Sequence, residues 1–203
     1  MEHKESLIAE WVQSVKGAWA LAQFNPLGLA YFDMSAEGFW KSFWAMAVAA
    51  PLFLASLYVG QEAARLNDLP STLLPSLISY ALHLPLTAFI MIYFTRYMKI
   101  DANYAPMIIT YNWSTVITYL VTVPVHLLIM TGVVGPDVGI LMTMIVSGYV
   151  YIYRWFVFKV SLQISGWLSI GVLLFQQLFV LTVDMILIRV LSPDYFEYMT
   201  KGL

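Results

Sequence analysis

The chain has 203 residues, of which 61% are hydrophobic and 11% are charged, and its formal net charge is −2. Soluble domains average roughly 45–50% apolar and about 25% charged residues, so this composition excludes an ordinary soluble domain. It also lacks the basic surface that nucleic-acid binding needs, and we expect no nucleic-acid partner. The absence of cysteine excludes disulfides, iron–sulfur clusters and cysteine nucleophiles. These properties indicate an integral membrane protein whose main surroundings are the lipid bilayer.

Residues 1–25 are predicted to form an amphipathic juxtamembrane helix that ends at Asn25-Pro26. Polar residues interrupt this segment too often for a membrane span, and its polar start, Met1–Glu10, does not resemble a secretory signal peptide. We expect the helix to lie in the plane of the membrane, with Trp11 and Trp19 at the depth of the lipid headgroups. Its apolar positions recur at three- and four-residue steps: Leu7, Ile8, Trp11, Val12, Val15, Ala18, Trp19 and Ala22.

Five later segments are long and apolar enough to cross a bilayer, which takes about 20 residues. They are Phe39–Gly60, Leu73–Tyr97, Tyr104–Thr131, Val138–Phe158 and Trp167–Leu191. Ser35, followed by Glu37, is the predicted N-cap before the first of them. The predicted fold is therefore all-α, a polytopic membrane helix bundle with five transmembrane helices and an N-terminal interfacial helix. Residues 26–191 form the transmembrane domain, and residues 192–203 form a short C-terminal tail.

The distribution of lysine and arginine predicts the orientation of the bundle. With the N-terminus in the cytoplasm, seven basic residues fall on the inner side and three on the outer side. The inner set is Lys4, Lys16, Lys41, Arg96, Lys99, Arg154 and Lys159, and the outer set is Arg65, Arg189 and Lys201. We therefore expect a cytoplasmic N-terminus and an external C-terminus, in a bacterial inner membrane.

Polar side chains inside the spans are costly in lipid, so each is a candidate for function. The main candidates are His83, His126, Asp184 and Asn112, with Gln176 among the remaining polar residues. One hypothesis places both histidines about 9–12 Å below the outer surface and joins them with Asp184 in a proton relay or metal site.

A second interpretation of the same residues is purely structural. Each histidine has a nearby proline, Pro85 for His83 and Pro124 for His126, and would bond a carbonyl that the proline leaves free. Asp184 would then pair with Arg189, with water or with one histidine. The sequence favours this interpretation, because the histidines lack the short spacing of a metal motif. We therefore expect no metal and no cofactor.

Enzyme signatures are missing from the sequence. Acid–base chemistry with paired carboxylates needs two such groups, and Asp184 is the one clearly intramembrane carboxylate, so we expect the protein not to be an enzyme. Interior prolines at Pro51, Pro85 and Pro124 predict kinked helices, which can mark a transport pathway. Candidate contact residues for a protein partner are Trp11, Trp19, Arg96, Lys99, Arg154 and Lys159.

Two short segments carry a resemblance to a known family. They are Asn103-Tyr-Ala-Pro-Met-Ile-Ile-Thr-Tyr111-Asn112-Trp113 at the start of the third span and Asn25-Pro-Leu-Gly28 before the first. With the five-span layout, they resemble the Yip family of membrane proteins, whose eukaryotic members interact with Rab-type GTPases. The acidic Asp-Leu-Tyr-Gly-Pro element of those eukaryotic members is absent. Over roughly Asn25 to Leu191, the resemblance implies a helical membrane scaffold and no catalytic residue.

Two functions remain open at this point. The first is a non-enzymatic membrane scaffold or accessory protein, similar to the Yip family, that acts through helix packing and partner contacts. Its partners under this hypothesis could include other membrane protein subunits. The alternative is a small transporter or proton-coupled permease that uses His83, His126 and Asp184. The composition and spacing leave the oligomeric state undetermined.

Overall fold

A computed structural model describes residues 7–66 and 68–201, so Lys4 and Asn67 lie outside the described residues. All regular secondary structure within these two ranges is helical. The α-helices are α1 Leu7–Ala22, α2 Ala36–Ser42, α3 Ala45–Leu66, α4 Leu73–Tyr97, α5 Tyr104–Met130, α6 Pro136–Leu162, α7 Gly166–Leu191 and α8 Pro193–Lys201. Short 3₁₀ helices cover Pro26–Tyr31 and Asp101–Asn103.

The predicted fold class is confirmed. In the described part of the chain, five helical segments are long and apolar enough to cross a membrane. The first of them combines α2 and α3, which meet at a break beside Phe43 and Trp44. The predicted bounds of α4 and α7 agree with the structure to within one residue, whereas α6 runs four residues beyond the predicted end at Phe158.

Two local features link the sequence to helix ends. Ser35 caps α2, because its Oγ accepts a hydrogen bond from the Gly38 amide at 3.1 Å, which confirms the predicted N-cap. The C-terminal segment was expected to be a tail, but residues 193–201 form α8. Pro193 occupies the first helical position, Asp194 the first turn and Lys201 the last turn, an arrangement that suits the backbone dipole of a helix.

The long helices alternate in direction, which gives the bundle two ends. The proximal end holds the 98–103 and 163–165 turns, joined by a 2.9 Å hydrogen bond from Asn103 Nδ2 to the Leu162 carbonyl. The distal end holds the 68–72, 131–135 and 192 connections. There, Ser192 Oγ donates to the Ser71 carbonyl at 2.7 Å. In the orientation expected from the basic residues, the proximal end is the cytoplasmic one.

Helix α5 occupies the centre of the bundle. It packs closely against α3 and α6 and also contacts α1 and α2. In the most apolar 18-residue stretch of this span, 39% of the residues are buried, against 17–22% in the other four spans. Helix α4 packs mainly against α7 and makes fewer contacts with α3 and α5. The tight core therefore surrounds the proximal half of α5, and space remains beside α4.

Helix α1 docks on this core through small residues. Ser14, Gly17, Ala18 and Leu21 are buried, and Tyr153 on α6 donates a 2.9 Å hydrogen bond to the Ala18 carbonyl. The bulkier apolar residues of the same helix, Ile8, Val12 and Trp19, are exposed. The predicted N-terminal helix is thus present, with a small-residue face on the bundle and a separate bulky apolar face directed outward.

Candidate functional site: a polar cavity beside α4

Tyr111, at the centre of the bundle, connects three helices. Its hydroxyl lies 2.9 Å from His83 Nε2 on α4 and accepts a 2.9 Å hydrogen bond from Gln176 Nε2 on α7. Both Tyr111 and Gln176 are fully buried, and the Gln176 Oε1 atom has no partner among the described residues. Since Gln176 donates to the hydroxyl oxygen, the hydroxyl proton is available to His83 Nε2.

Arg154 lies on another side of Tyr111. Its guanidinium carbon is 5.6 Å from the centroid of the Tyr111 ring, a cation–π distance. Its Nε atom is buried without a hydrogen-bond acceptor, and none of the ion pairs in the described ranges includes this arginine. Because α6 extends to Leu162, Arg154 is eight residues, or about 12 Å, from the proximal end of its helix. Arg154, which was predicted as a partner contact on the inner side, is half-buried and lies beside the Tyr111 ring.

A cavity of about 350 Å³ opens between α3, α4, α5 and α7, where the packing of α4 is weakest. His83 and Asp184 both line it, so the structure brings together two of the candidate polar residues. An adjoining space of about 480 Å³ shares Phe53, Ser76 and Tyr119 with it and continues to Gln61 and Thr72 at the distal end. The full lining of the first cavity is Phe53, Pro75, Ser76, Ser79, Tyr80, His83, Tyr119, Val180, Asp184 and Ile188.

Asp184 is hydrogen-bonded to the Ser79 hydroxyl of α4. It lies seven residues, about 10 Å, from the distal end of α7. The predicted partner Arg189 instead places its guanidinium 5.7 Å from the Phe196 ring centroid of α8 and forms no ion pair with Asp184. The carboxyl group is thus held in the cavity wall by a neutral hydroxyl.

His126 does not join His83 and Asp184. Its Nδ1 atom lies 3.2 Å from Ser56 Oγ on α3, and it lines a different, mostly apolar space of about 500 Å³. The prediction that the two histidines lie at a similar depth is also wrong, because His83 is about 15 Å and His126 about 6 Å from the distal ends of their helices. Within the described residues, the hydrogen bonds of the two histidine rings go to hydroxyls of neighbouring helices, Ser56 and Tyr111, and none goes to a carbonyl freed by a proline.

Asn112 also lies apart from the cavity. It is fully buried, and its Nδ2 donates a 2.8 Å hydrogen bond to Ser42 Oγ at the end of α2. Its Oδ1 has no partner within the described ranges. Successive residues on α5 thus point in different directions, Tyr111 toward α4 and α7 and Asn112 toward α2.

The remaining predicted contact residues lie toward the proximal part of the molecule. Trp19, Arg96 and Lys99 are exposed, whereas Trp11 is half-buried and packs against Trp44 with ring centroids 5.7 Å apart. Lys159 is half-buried and places its ammonium 5.3 Å from the Trp155 ring centroid.

Several residues of this site could not be singled out from the sequence. Tyr111 carried a signal only as part of the Tyr111-Asn112-Trp113 motif, and Ser79, Tyr80 and Tyr119 carried none, because serine and tyrosine are common in spans. Within residues 7–66 and 68–201, no group of three histidine, aspartate or glutamate side chains is placed to hold a metal ion.

Comparison with family models, curated proteins and solved structures finds no match to this chain. The resemblance to the Yip family is therefore neither supported nor refuted.

Proposed function

We propose that this membrane protein is a small proton-coupled transporter that receives a solute in the distal cavity. The observation that carries this proposal is that His83 and Asp184, on α4 and α7, line a single cavity. Ionisable groups inside a membrane protein are expensive unless they face a water-filled space or one another, and those that persist often form proton relays and substrate pathways. This expectation favours transport over a purely structural use of the two side chains.

The cavity wall suits a small polar solute. Ser76, Ser79, Tyr80 and Tyr119 line the same cavity as Asp184, and the Ser79 hydroxyl donates to the Asp184 carboxyl, while Phe53 supplies an apolar face. Ligand sites commonly combine an apolar wall with a few polar groups that orient the ligand. The volume of about 350 Å³ lies at the small end of such sites, so the solute is a small molecule or ion.

Proton coupling follows from the two titratable groups in the wall. Asp184 at the distal side and His83 deeper along α4 can each carry a proton. A hydrogen bond from the Tyr111 hydroxyl connects His83 to the closed core. In this proposal the solute enters from the distal end as Asp184 gains or loses its proton. The proximal half, where α5 is buried, is the closed gate.

Transport is tested with the purified full chain in vesicles that contain a pH-sensitive dye, with the membrane potential held at zero by potassium and valinomycin. Three pools of solutes are added outside: neutral sugars and amino acids, amines, and the anions lactate and nitrate. At least one pool should change the internal pH faster than in protein-free vesicles. Asp184→Asn and His83→Gln should each slow that change by on the order of a hundredfold, the typical contribution of a positioned proton-transferring group.

His126→Gln is the matched control, because His126 lies in a membrane helix but outside this cavity, and it should keep the wild-type rate. If no pool changes the internal pH, or if Asp184→Asn transports like the wild type, the proposal is wrong.

The second candidate function, a Yip-like scaffold, is favoured by the surface of α1. Ile8, Val12 and Trp19 are exposed on a helix that is already fixed to the bundle by its opposite face. Such a face suits lipid or the helix of a partner protein. Under this alternative, Asp184→Asn and His83→Gln change stability alone, and Trp19→Ala weakens co-purification of membrane partners.

A further inference from the structure

Arg154 carries a positive charge that forms no ion pair with an acidic side chain in the described part of the chain. The acidic groups in ion pairs within the described ranges are Glu10, Glu37, Glu62 and Glu197, and none of them pairs with Arg154. Its one charge-compensating contact there is the face of the Tyr111 ring, and its buried Nε–H group has no acceptor. Arg154 itself is half-buried. A charged side chain within a membrane span normally pairs with another group or faces a water-filled space, because its removal from water is otherwise uncompensated.

Tyr111 separates this charge from the cavity. One end of the tyrosine, its hydroxyl, holds His83 in the cavity wall, and the face of its ring carries the Arg154 guanidinium. Beside the same tyrosine, Gln176 Oε1 is a buried acceptor without a donor. The neighbours of Tyr111 therefore include one unused donor, Arg154 Nε, and one unused acceptor, Gln176 Oε1, as expected of a site that a ligand completes.

None of the described residues that line the cavity is a lysine or an arginine, and Arg154 places a positive charge against Tyr111, the residue that bonds His83 in the cavity wall. We propose that the solute is a small monovalent anion, and that Arg154 receives its negative charge when Tyr111 moves aside. This inference rests on the proposed function, since it names the class of solute that the distal cavity admits.

The position of Asp184 explains why the anion would travel with a proton. An ionised carboxylate near the distal mouth repels an anion, whereas a protonated one offers a hydrogen-bond donor instead. The titratable groups that face Asp184 are His83 and Tyr80 from α4 and Tyr119 from α5, and α3 contributes only Phe53 to this cavity. Entry of the anion with one proton leaves the net charge of the site unchanged.

The test uses the same vesicles, with lactate and nitrate added separately at zero membrane potential and protein-free vesicles as the baseline for passive entry. Wild-type protein should acidify the interior with at least one of these anions. Arg154→Gln should slow this acidification by on the order of tenfold or more, as expected for the loss of a charge-assisted hydrogen bond. Arg154→Lys should restore part of the rate, which shows that the charge itself is required.

Lys159→Gln is the matched control, because it removes a positive charge from the same helix near the proximal end and should leave the rate unchanged. Elution as a single species in size-exclusion chromatography establishes that each variant is folded. The inference is overturned if the neutral or amine pool changes the internal pH while the anions do not, or if Arg154→Gln acts like the wild type. Those results leave the proposed function standing, whereas a failure of every pool removes both.

Discussion

The hydroxyl of Tyr111 on α5 lies 2.9 Å from the Nε2 atom of His83 on α4. This contact joins the central helix to α4, which packs only weakly against it. It also marks the boundary between the cavity, which His83 lines, and the tightly packed core, where Tyr111 is fully buried. The hydrogen bond between His83 and Tyr111 thus lies between the cavity on the distal side and the packed core on the proximal side.

Tyr111→Phe should destabilise the protein, because it removes the shared partner of His83 and Gln176 and leaves buried polar groups unpaired. We expect a loss of about 1–3 kcal/mol in the free energy of unfolding. Unfolding in mixed micelles with increasing SDS, followed by helical circular dichroism, measures it. Tyr119→Phe is the control, since the Tyr119 hydroxyl lines the cavity and forms no hydrogen bond with the described residues. Equal stability of the two variants would contradict this role for Tyr111.

Gly17→Ala should disturb the packing of α1 against the 3₁₀ helix Pro26–Tyr31. A methyl group at this position would lie 2.8 Å from the Gly28 carbonyl oxygen and 2.9 Å from Tyr31 Cβ, closer than packed atoms tolerate. Overpacking of this kind typically costs about 1–3 kcal/mol, measurable as a lower midpoint of unfolding. Gly60→Ala meets no atom within 4 Å and should leave the midpoint unchanged or slightly raised. A Gly17→Ala variant as stable as Gly60→Ala would show that this close approach does not hold α1.

The predicted orientation can be measured directly, because the chain has no cysteine of its own. Arg65→Cys and Lys99→Cys place single thiols at the distal and proximal ends of the bundle. A membrane-impermeant maleimide should label the first in intact cells and the second only after the membrane is permeabilised. Labelling of both thiols from the same side would overturn the five-span topology, and the reverse pattern would invert the orientation.

The sequence was sufficient for the fold and only partly sufficient for the site. Spans such as Leu73–Tyr97 were predictable because length and hydropathy are local properties, and the agreement there is complete. The pairing of His83 with Asp184 in one cavity depends on α4 packing against α7, about a hundred residues later, and no local pattern encodes it.

Arg154 illustrates a second limit of sequence reasoning. The predicted fourth span, Val138–Phe158, already contained Arg154 and placed it four residues from the proximal end, whereas α6 continues to Leu162 and places it eight residues from that end. Helix ends are uncertain by a few residues when read from sequence, and four residues of helix are about 6 Å. That distance changes the expected depth of Arg154 along its span.

Cysteine labelling of the cavity wall tests the central claim, that water reaches His83 and Asp184 from the distal end. Ser79 lies in this wall, whereas Ala81, two residues along the same helix, is exposed on the outside of the bundle, where a transmembrane helix meets lipid. A positively charged, water-soluble methanethiosulfonate reagent should modify Ser79→Cys and leave Ala81→Cys largely unmodified, because the reaction requires a hydrated thiolate. Modification of Ala81→Cys alone, or of neither thiol, would contradict the existence of a hydrated cavity beside α4.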